Sequence, residues 1–315
     1  MRTTLKRYLG AVALIAACVA TQGCKPPNYP TGTIEQQFYA NGTWAVTVQT
    51  GTYCCDSLGN KFDLYYPTNL GAGGFKHPII TWGNGTGGKA ADCDYFLRHM
   101  ASWGFVIIAT EDQNTGPGQT ILDAAKFLIN ANGNPGIFQN KLDIANVGAI
   151  GGSQGATGAI NAMINSAGAI KTVIPIELPA QVWCSSPANC VDTANVTTGS
   201  IFFVDGSLDP ISPPNQGATV TGEQSIAAYY NAVPNAVPKL KGTLIGPTHN
   251  DVSGQPDCKH AKQPCIIGVY GYLGYPTAWM MDRLQGNATA HTAFTNGTGE
   301  MFSQPINWQF VASNI

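Results

Sequence analysis

Asn146-Val147-Gly148-Ala149-Ile150-Gly151-Gly152-Ser153-Gln154-Gly155-Ala156-Thr157-Gly158 is the stretch on which the reading of this chain turns. The apolar run Val147 to Ile150 predicts a buried strand, and the small-residue segment Ala156 to Ala167 has the apolar spacing of a helix. Between them, Gly151 to Gly155 matches G-x-S-x-G, in which a serine occupies a strained strand-to-helix corner. The flanking glycines let neighbouring backbones approach where a Cβ would collide. A helix starting just after the serine aims free N–H groups and its positive dipole end at the space beside the hydroxyl. Ser153 is therefore a candidate nucleophile next to an anion stabiliser. The competing reading, a glycine-rich turn with a structural serine, survives only if no base and acid follow in suitable loops.

Working outward, Pro78 to Trp82 predicts a buried strand running into Gly83-Asn84-Gly85-Thr86-Gly87-Gly88. A helix from Tyr95 to Trp103, a strand from Phe105 to Thr110 and a helix from Thr120 to about Ala131 follow. Further strands are predicted at Lys171 to Ile176, Ser200 to Val204 and Lys239 to Ile245. Upstream, Trp44 to Val48 and Phe62 to Pro67 read as an antiparallel opening pair around a glycine-rich turn. Alternating strands and helices predict an α/β fold, a mostly parallel sheet with helices on both faces. Sites in such sheets form outside the carboxyl ends of the strands. Gly83 to Gly88, Ser153 and the segments after Glu177 and Val204 all fall at such ends.

Two aspartates follow the strand ending at Val204: Asp205, placed to cap the turn, and Asp209, placed to fold back toward a later loop. Of the five histidines, only His249 lies in a loop directly after a predicted sheet strand, downstream of both serine and acid. His77, His99 and His291 read as structural or exposed. The order Ser153, Asp209, His249 is nucleophile, acid, base. Backbone N–H groups of Gln154 and of Thr86 or Gly85 are the expected oxyanion donors. The segment Glu177 to Cys184 reads as a pocket wall, with Leu178 and Trp183 as candidate substrate contacts.

The chain has 315 residues, 44% hydrophobic and 11% charged, which suffices for one catalytic domain, assigned here to residues 34–315. A net charge of −2 without basic patches or acidic runs points away from nucleic acid. Arg2, Lys6 and Arg7 precede an apolar run, Leu9 to Ala20, too short to span a membrane, so residues 1–24 read as an export signal. Small residues ahead of Cys24 or Cys18 resemble a lipoprotein site with a lipid anchor on that cysteine; Cys18-Val19-Ala20 also fits ordinary secretion. The expectation is an exported protein, secreted or an outer-membrane lipoprotein. Residues 25–33, rich in proline, read as a flexible tether.

Downstream lie Cys54, Cys55, Cys93, Cys184, Cys190, Cys258 and Cys265, and export favours pairing. Cys184 with Cys190 and Cys258 with Cys265 each close a short loop, and Cys93 is within reach of a pairing with Cys54 or Cys55. Zinc on Cys258, His260 and Cys265 is the weaker reading, because the spacing matches no standard ligand pair. No metal or cofactor is expected.

Three segments carry a resemblance: I-F-F-V-D-G-S-L-D-P-I-S-P-P from Ile201, G-P-T-H-N-D from Gly246, and A-W-M-M-D-R-L-Q-G-N-A-T-A-H-T-A-F from Ala278. Together with the serine turn, they resemble the cutinase and poly(ethylene terephthalate) hydrolase-like branch of the α/β hydrolases over most of residues 40 to 300. Dienelactone hydrolases and chlorophyllase-like esterases are more distant relatives. The resemblance implies an α/β-hydrolase fold, a Ser153–His249–Asp209 triad, an open cleft and an ester or polyester substrate; a monomer is expected. The alternatives are a small-ester, thioester or lactone hydrolase or acyltransferase on the same triad, and an inactive exported binding protein. This chain departs from the branch in its Gly-Asn-Gly-Thr loop, where an aromatic residue is common, and in Gly152 and Gln154 beside the serine.

Overall fold

The computed structural model describes residues 29–261, 264–303 and 306–315. The predicted export signal, Cys18, Cys24 and the start of the predicted tether lie outside the described residues. The elements begin with helix α1 (Thr33–Tyr39), strands β1 (Val46–Cys54), β2 (Lys61–Pro67) and β3 (His77–Gly83), helix α2 (Asp94–Ser102) and strand β4 (Val106–Thr110). Then come α3 (Gln119–Gly133), β5 (Leu142–Gly152), α4 (Gln154–Asn165), β6 (Ile170–Ile176) and β7 (Ser200–Gly206). The chain closes with α5 (Ile226–Ala232), β8 (Lys239–Leu244), α6 (Tyr270–Gln285), the short helices Ala288–His291 and Glu300–Ser303, and β9 (Trp308–Ser313).

One 9-stranded sheet has the order β1-β2-β4-β3-β5-β6-β7-β8-β9. Strands β3 to β8 run parallel, and β1, β2 and β9 are antiparallel additions at the two edges. The parallel strands are apolar on both faces, as expected of a sheet covered by helices on each side. In β4, for example, Val106, Ile107 and Ile108 are all fully buried. Side-chain alternation splits them between two cores: Ile107 packs with α2 and α6 residues such as Phe96, Leu97 and Trp279. Val106 and Ile108 pack with α3 and α4 residues such as Ile121, Leu128 and Ile160.

Three features differ from the sequence expectation. First, no α-helix joins β6 to β7; the crossover holds only the single turns Gln181–Trp183, Pro187–Asn189 and Thr193–Asn195. Pro179, Pro187 and the Cys184–Cys190 pair interrupt any longer helix. Second, the C-terminal helix begins at Tyr270, well before Ala278, and carries Pro276 inside it. It is almost wholly buried, with Trp279 donating to Thr172 Oγ1 at 2.7 Å across the face of the sheet.

Third, the described end of the expected tether is docked. Glu300 accepts the N–H groups of Ile34 and Glu35 at the start of α1, at 2.9 Å. Buried Glu35 accepts Asn307 Nδ2 and Trp308 Nε1, each at 2.7 Å, and the Thr31 N–H at 3.0 Å. Burial raises the pKa of Glu35 above the usual carboxylate range. Glu300 thus ties α1 to the helix Glu300–Ser303, and Glu35 ties it to β9. His99 lies in the same region, bonded to the Phe38 carbonyl at 3.0 Å and Thr277 at 3.1 Å, and burial pushes its pKa down to about 4. His77 bonds the Gly104 carbonyl at 2.7 Å. Both histidines are structural, as their positions predicted.

Helix α4 lies close enough to its neighbours that a Cβ on Gly158 would stand 2.0 Å from the Thr115 carbonyl oxygen. A backbone atom cannot swing aside. Gly158→Ala should therefore destabilise the protein by about 1–3 kcal/mol despite alanine's better helix propensity, read as a drop of several degrees in Tm.

Candidate active site

Ser153 stands alone between β5 and α4, with φ 55° and ψ −126°. A non-glycine residue held there costs roughly 1–3 kcal/mol, so its surroundings must impose it. Its N–H donates to the Ile176 carbonyl at 3.0 Å, and its own carbonyl accepts Ala156 N–H at 2.8 Å. The turn is also compressed. A Cβ on Gly151 would fall 2.0 Å from the Gly155 oxygen, and one on Gly155 would fall 2.1 Å from the Gly83 oxygen. Both glycines of the motif are required for space.

This corner puts Ser153 Oγ 2.7 Å from His249 Nε2, and His249 Nδ1 lies 2.7 Å from Asp209 Oδ2. Asp209 is held in turn by the N–H groups of Ile211 and Ser212, which donate to Oδ1 at 2.8 and 3.1 Å. The Asp209 side chain is fully buried and that of His249 nearly so. In this arrangement the imidazole can take the serine proton while the carboxylate fixes its tautomer and stabilises the cation that forms. The choice between the two aspartates is resolved: Asp205 is turned away, its Oδ1 accepting Thr243 Oγ1 at 2.7 Å.

The loop after β3 lies against this corner, since a Cβ on Gly85 would meet Ser153 Cβ at 3.5 Å. Asn84 knots the loop in place. Its Nδ2 donates to the carbonyls of Thr110 and Asp112 at 2.7 and 2.9 Å, its Oδ1 accepts Trp82 Nε1, and its own carbonyl accepts Thr115 Oγ1. Among the described residues, none accepts the N–H of Gly85, Thr86 or Gln154, so the choice between Gly85 and Thr86 stays open. Sequence reasoning passed over Asn84, because its partners lie in a loop about thirty positions away.

A cleft of about 590 Å³ opens over Ser153 and His249, walled by Trp82, Ile211 and Val252 and by the Gly85–Gly88 loop, with Lys89 at its edge. Neither candidate substrate contact lines it. Leu178 is fully buried in the core on the α3–α4 side of the sheet. Trp183, 59% exposed, sits on the crossover outside the cleft wall. That crossover is a disulfide-closed loop folded against Glu223 and Gln224.

The cysteines pair locally: Cys54 with Cys55, Cys184 with Cys190 and Cys258 with Cys265, each at disulfide distance. The expected link from Cys93 to Cys54 or Cys55 is absent because those two take each other. Cys93 is an unpaired, buried thiol in the cleft wall, its pKa raised by burial. Such pairs fit an oxidising compartment. Among the described residues, no helix is long and apolar enough to cross a membrane.

Asp251 joins the histidine loop to the Cys258–Cys265 loop. Its Oδ2 accepts the Thr248 N–H and hydroxyl at 2.9 and 2.7 Å, and its Oδ1 accepts the N–H groups of Ile267 and Gly268, both at 2.6 Å. It was legible only as a polar residue two positions after His249. Two further carboxyls lie deep beside the triad. Burial, reinforced by the charge of Asp209, raises the pKa of Glu177 well above the carboxylate range. Burial, again with Asp209, does the same to Asp205.

No protein-family model and no curated protein matches this chain.

Removing the Asp251 side chain orphans several N–H groups at about 1–3 kcal/mol each. Asp251→Ala should lower Tm by several degrees and the turnover of any Ser153-dependent reaction with it, measured by thermal melts and initial rates. Asp205 supplies a pH test. Its pKa is higher folded than unfolded, so its contribution is complete below the unfolded carboxylate value and is lost as pH rises through the raised folded value. As pH rises above the unfolded carboxylate value of about 4, denaturant midpoints of the wild type should decline relative to those of Asp205→Asn.

Proposed function

We propose that this protein is a serine hydrolase of carboxylic esters, built on the α/β-hydrolase fold and of the cutinase and polyester hydrolase type. The observation that carries the reading is the continuous hydrogen-bonded line Ser153–His249–Asp209, both links 2.7 Å, on a corner with φ 55°. The chain order of the three residues and the β1-β2-β4-β3-β5-β6-β7-β8 part of the strand order support the fold assignment.

In this mechanism His249, oriented by Asp209, takes the Ser153 proton as Oγ attacks the ester carbonyl. The N–H groups of Gln154 and of Thr86 or Gly85 hold the oxyanion, helped by the N-terminal dipole of α4. His249 then returns the proton to the departing alcohol, and water releases the acyl group by the same steps in reverse order of roles. No step requires a cofactor. A thioester hydrolase or acyltransferase would use the same atoms and differ only in leaving group or acceptor.

The cleft favours esters of modest size: about 590 Å³ between Trp82, Ile211 and Val252 holds a single acyl or aryl unit with its neighbours. With Trp183 outside that wall, an aromatic clamp on a polymer chain is not part of the reading. Polyester attack then depends on the chain lying across the mouth of the cleft. A fluorophosphonate should label the wild type once and leave Ser153→Ala unlabelled. Turnover of p-nitrophenyl butyrate should fall by about 10⁴-fold or more in Ser153→Ala. Release of soluble acid from an amorphous aromatic polyester film by the same batch would extend the activity to polymers. Butyrate turnover without film release would restrict it to small esters, and absence of both labelling and turnover would overturn the assignment.

A further inference from the structure

Glu177 follows β6 directly, on the strand between the nucleophile strand β5 and the acid strand β7. It is fully buried, has φ 54°, and its N–H donates to the Val204 carbonyl at 2.7 Å. Tyr272 of α6 donates its hydroxyl to Oε1. The other oxygen, Oε2, is buried and has no hydrogen-bond partner among the described residues. A buried orphan of this kind needs an explanation. Its surroundings suggest one: Glu177, Asp209 and His249 each present a charge-bearing atom within 4.8 Å of the others.

The groups that face this carboxyl are Asp209 and His249 of the triad, Tyr272 on α6, Asp205 at the end of β7, Asp251 behind the histidine loop and Cys93 in the cleft wall. None of them is a lysine or arginine that would pair with Glu177. Two carboxylates this close share one negative charge. Two loop N–H groups, those of Ile211 and Ser212, donate to Asp209 Oδ1, whereas Glu177 accepts a single phenol.

We propose that Glu177 is a second acid for His249, sharing with Asp209 the single negative charge that faces the imidazole. While Asp209 is charged, Glu177 keeps its proton on Oε2, and Tyr272 fixes its other oxygen. His249 then faces one carboxylate, which stabilises the imidazolium without a second charge to trap the proton there. If the Asp209 carboxylate is removed, Glu177 gives its proton to water and its carboxylate becomes the acceptor for His249 Nδ1–H. Glu177 acts through His249 and is a positioning residue.

The inference rests on the serine hydrolase reading, and fluorophosphonate labelling of wild type but not Ser153→Ala tests that first. Failure there removes the frame; a labelled enzyme leaves Glu177 to be tested alone. The experiment compares kcat/KM for p-nitrophenyl butyrate against pH in wild type, Asp209→Ala and Asp209→Ala/Glu177→Gln, with folding checked by circular dichroism melts. In Asp209→Ala the acid limb should move up by about one pH unit or more, because Glu177 must now ionise before His249 is oriented. The double variant should lose about tenfold or more of the remaining kcat/KM and the displaced limb with it. Equal rates and equal limbs in the single and double variants would overturn the proposal. If the double variant does not fold, the Asp209→Ala profile decides: a limb left where the wild type has it would overturn the proposal equally.

Discussion

The structure depends on a backbone-to-backbone approach that leaves no room for a side chain. Gly155, in the first turn of α4, lies against the Gly83 carbonyl at the end of β3, and Gly151 lies against Gly155. Contact at this distance joins two loops that the chain places about seventy positions apart. It seats the Gly83–Gly88 loop beside Ser153, since a Cβ on Gly85 would meet Ser153 Cβ at 3.5 Å. It also forces the serine backbone to positive φ, which turns the hydroxyl outward toward His249. Small residues in α4, with Ala156, Ala159 and Ala162 all fully buried, let the helix sit low enough on the sheet for this to happen.

The second constraint is electrostatic. Glu177, Asp205 and Asp209 cluster at the ends of two neighbouring strands, and Asp251 lies close behind. The low-dielectric interior penalises several negative charges close together, and burial raises the pKa of both Glu177 and Asp205. The members differ in their hydrogen-bond donors. Asp209 has two such donors and faces the imidazole; Asp205 has a threonine hydroxyl and Glu177 a tyrosine hydroxyl. The histidine loop is positioned by a different carboxylate, Asp251, saturated with donors from two loops, one of them closed by the Cys258–Cys265 pair.

Away from the site, the first described helix and the C-terminal segment are fastened to each other by buried polar groups. Glu300 caps α1 and Glu35 reaches back to β9, so the first described helix and the last strand stand or fall together. Tyr275 adds a hydroxyl to Glu300 at 3.0 Å, linking the pair to α6 and through it to the sheet. These contacts explain how a short, polar helix of 7 residues, unstable alone, is ordered here.

What could be read from the amino-acid order alone was whatever has a local cause. The apolar runs of β3 to β8, the helix spacings of α2, α3 and α4, the glycine spacing around Ser153 and the positions of Asp209 and His249 in loops after strands all rest on neighbours a few residues apart. The tertiary structure decided everything whose partner is remote. Docking of α1, the addition of β9 and the early start of α6 at Tyr270 depend on contacts across most of the chain. So do the anchoring of Asn84, the withdrawal of Leu178 into the core and of Trp183 from the cleft, and the placing of Glu177 beside His249. A side chain's hydrogen-bond partner and its burial are properties of the assembled fold, and no periodicity in the sequence encodes them.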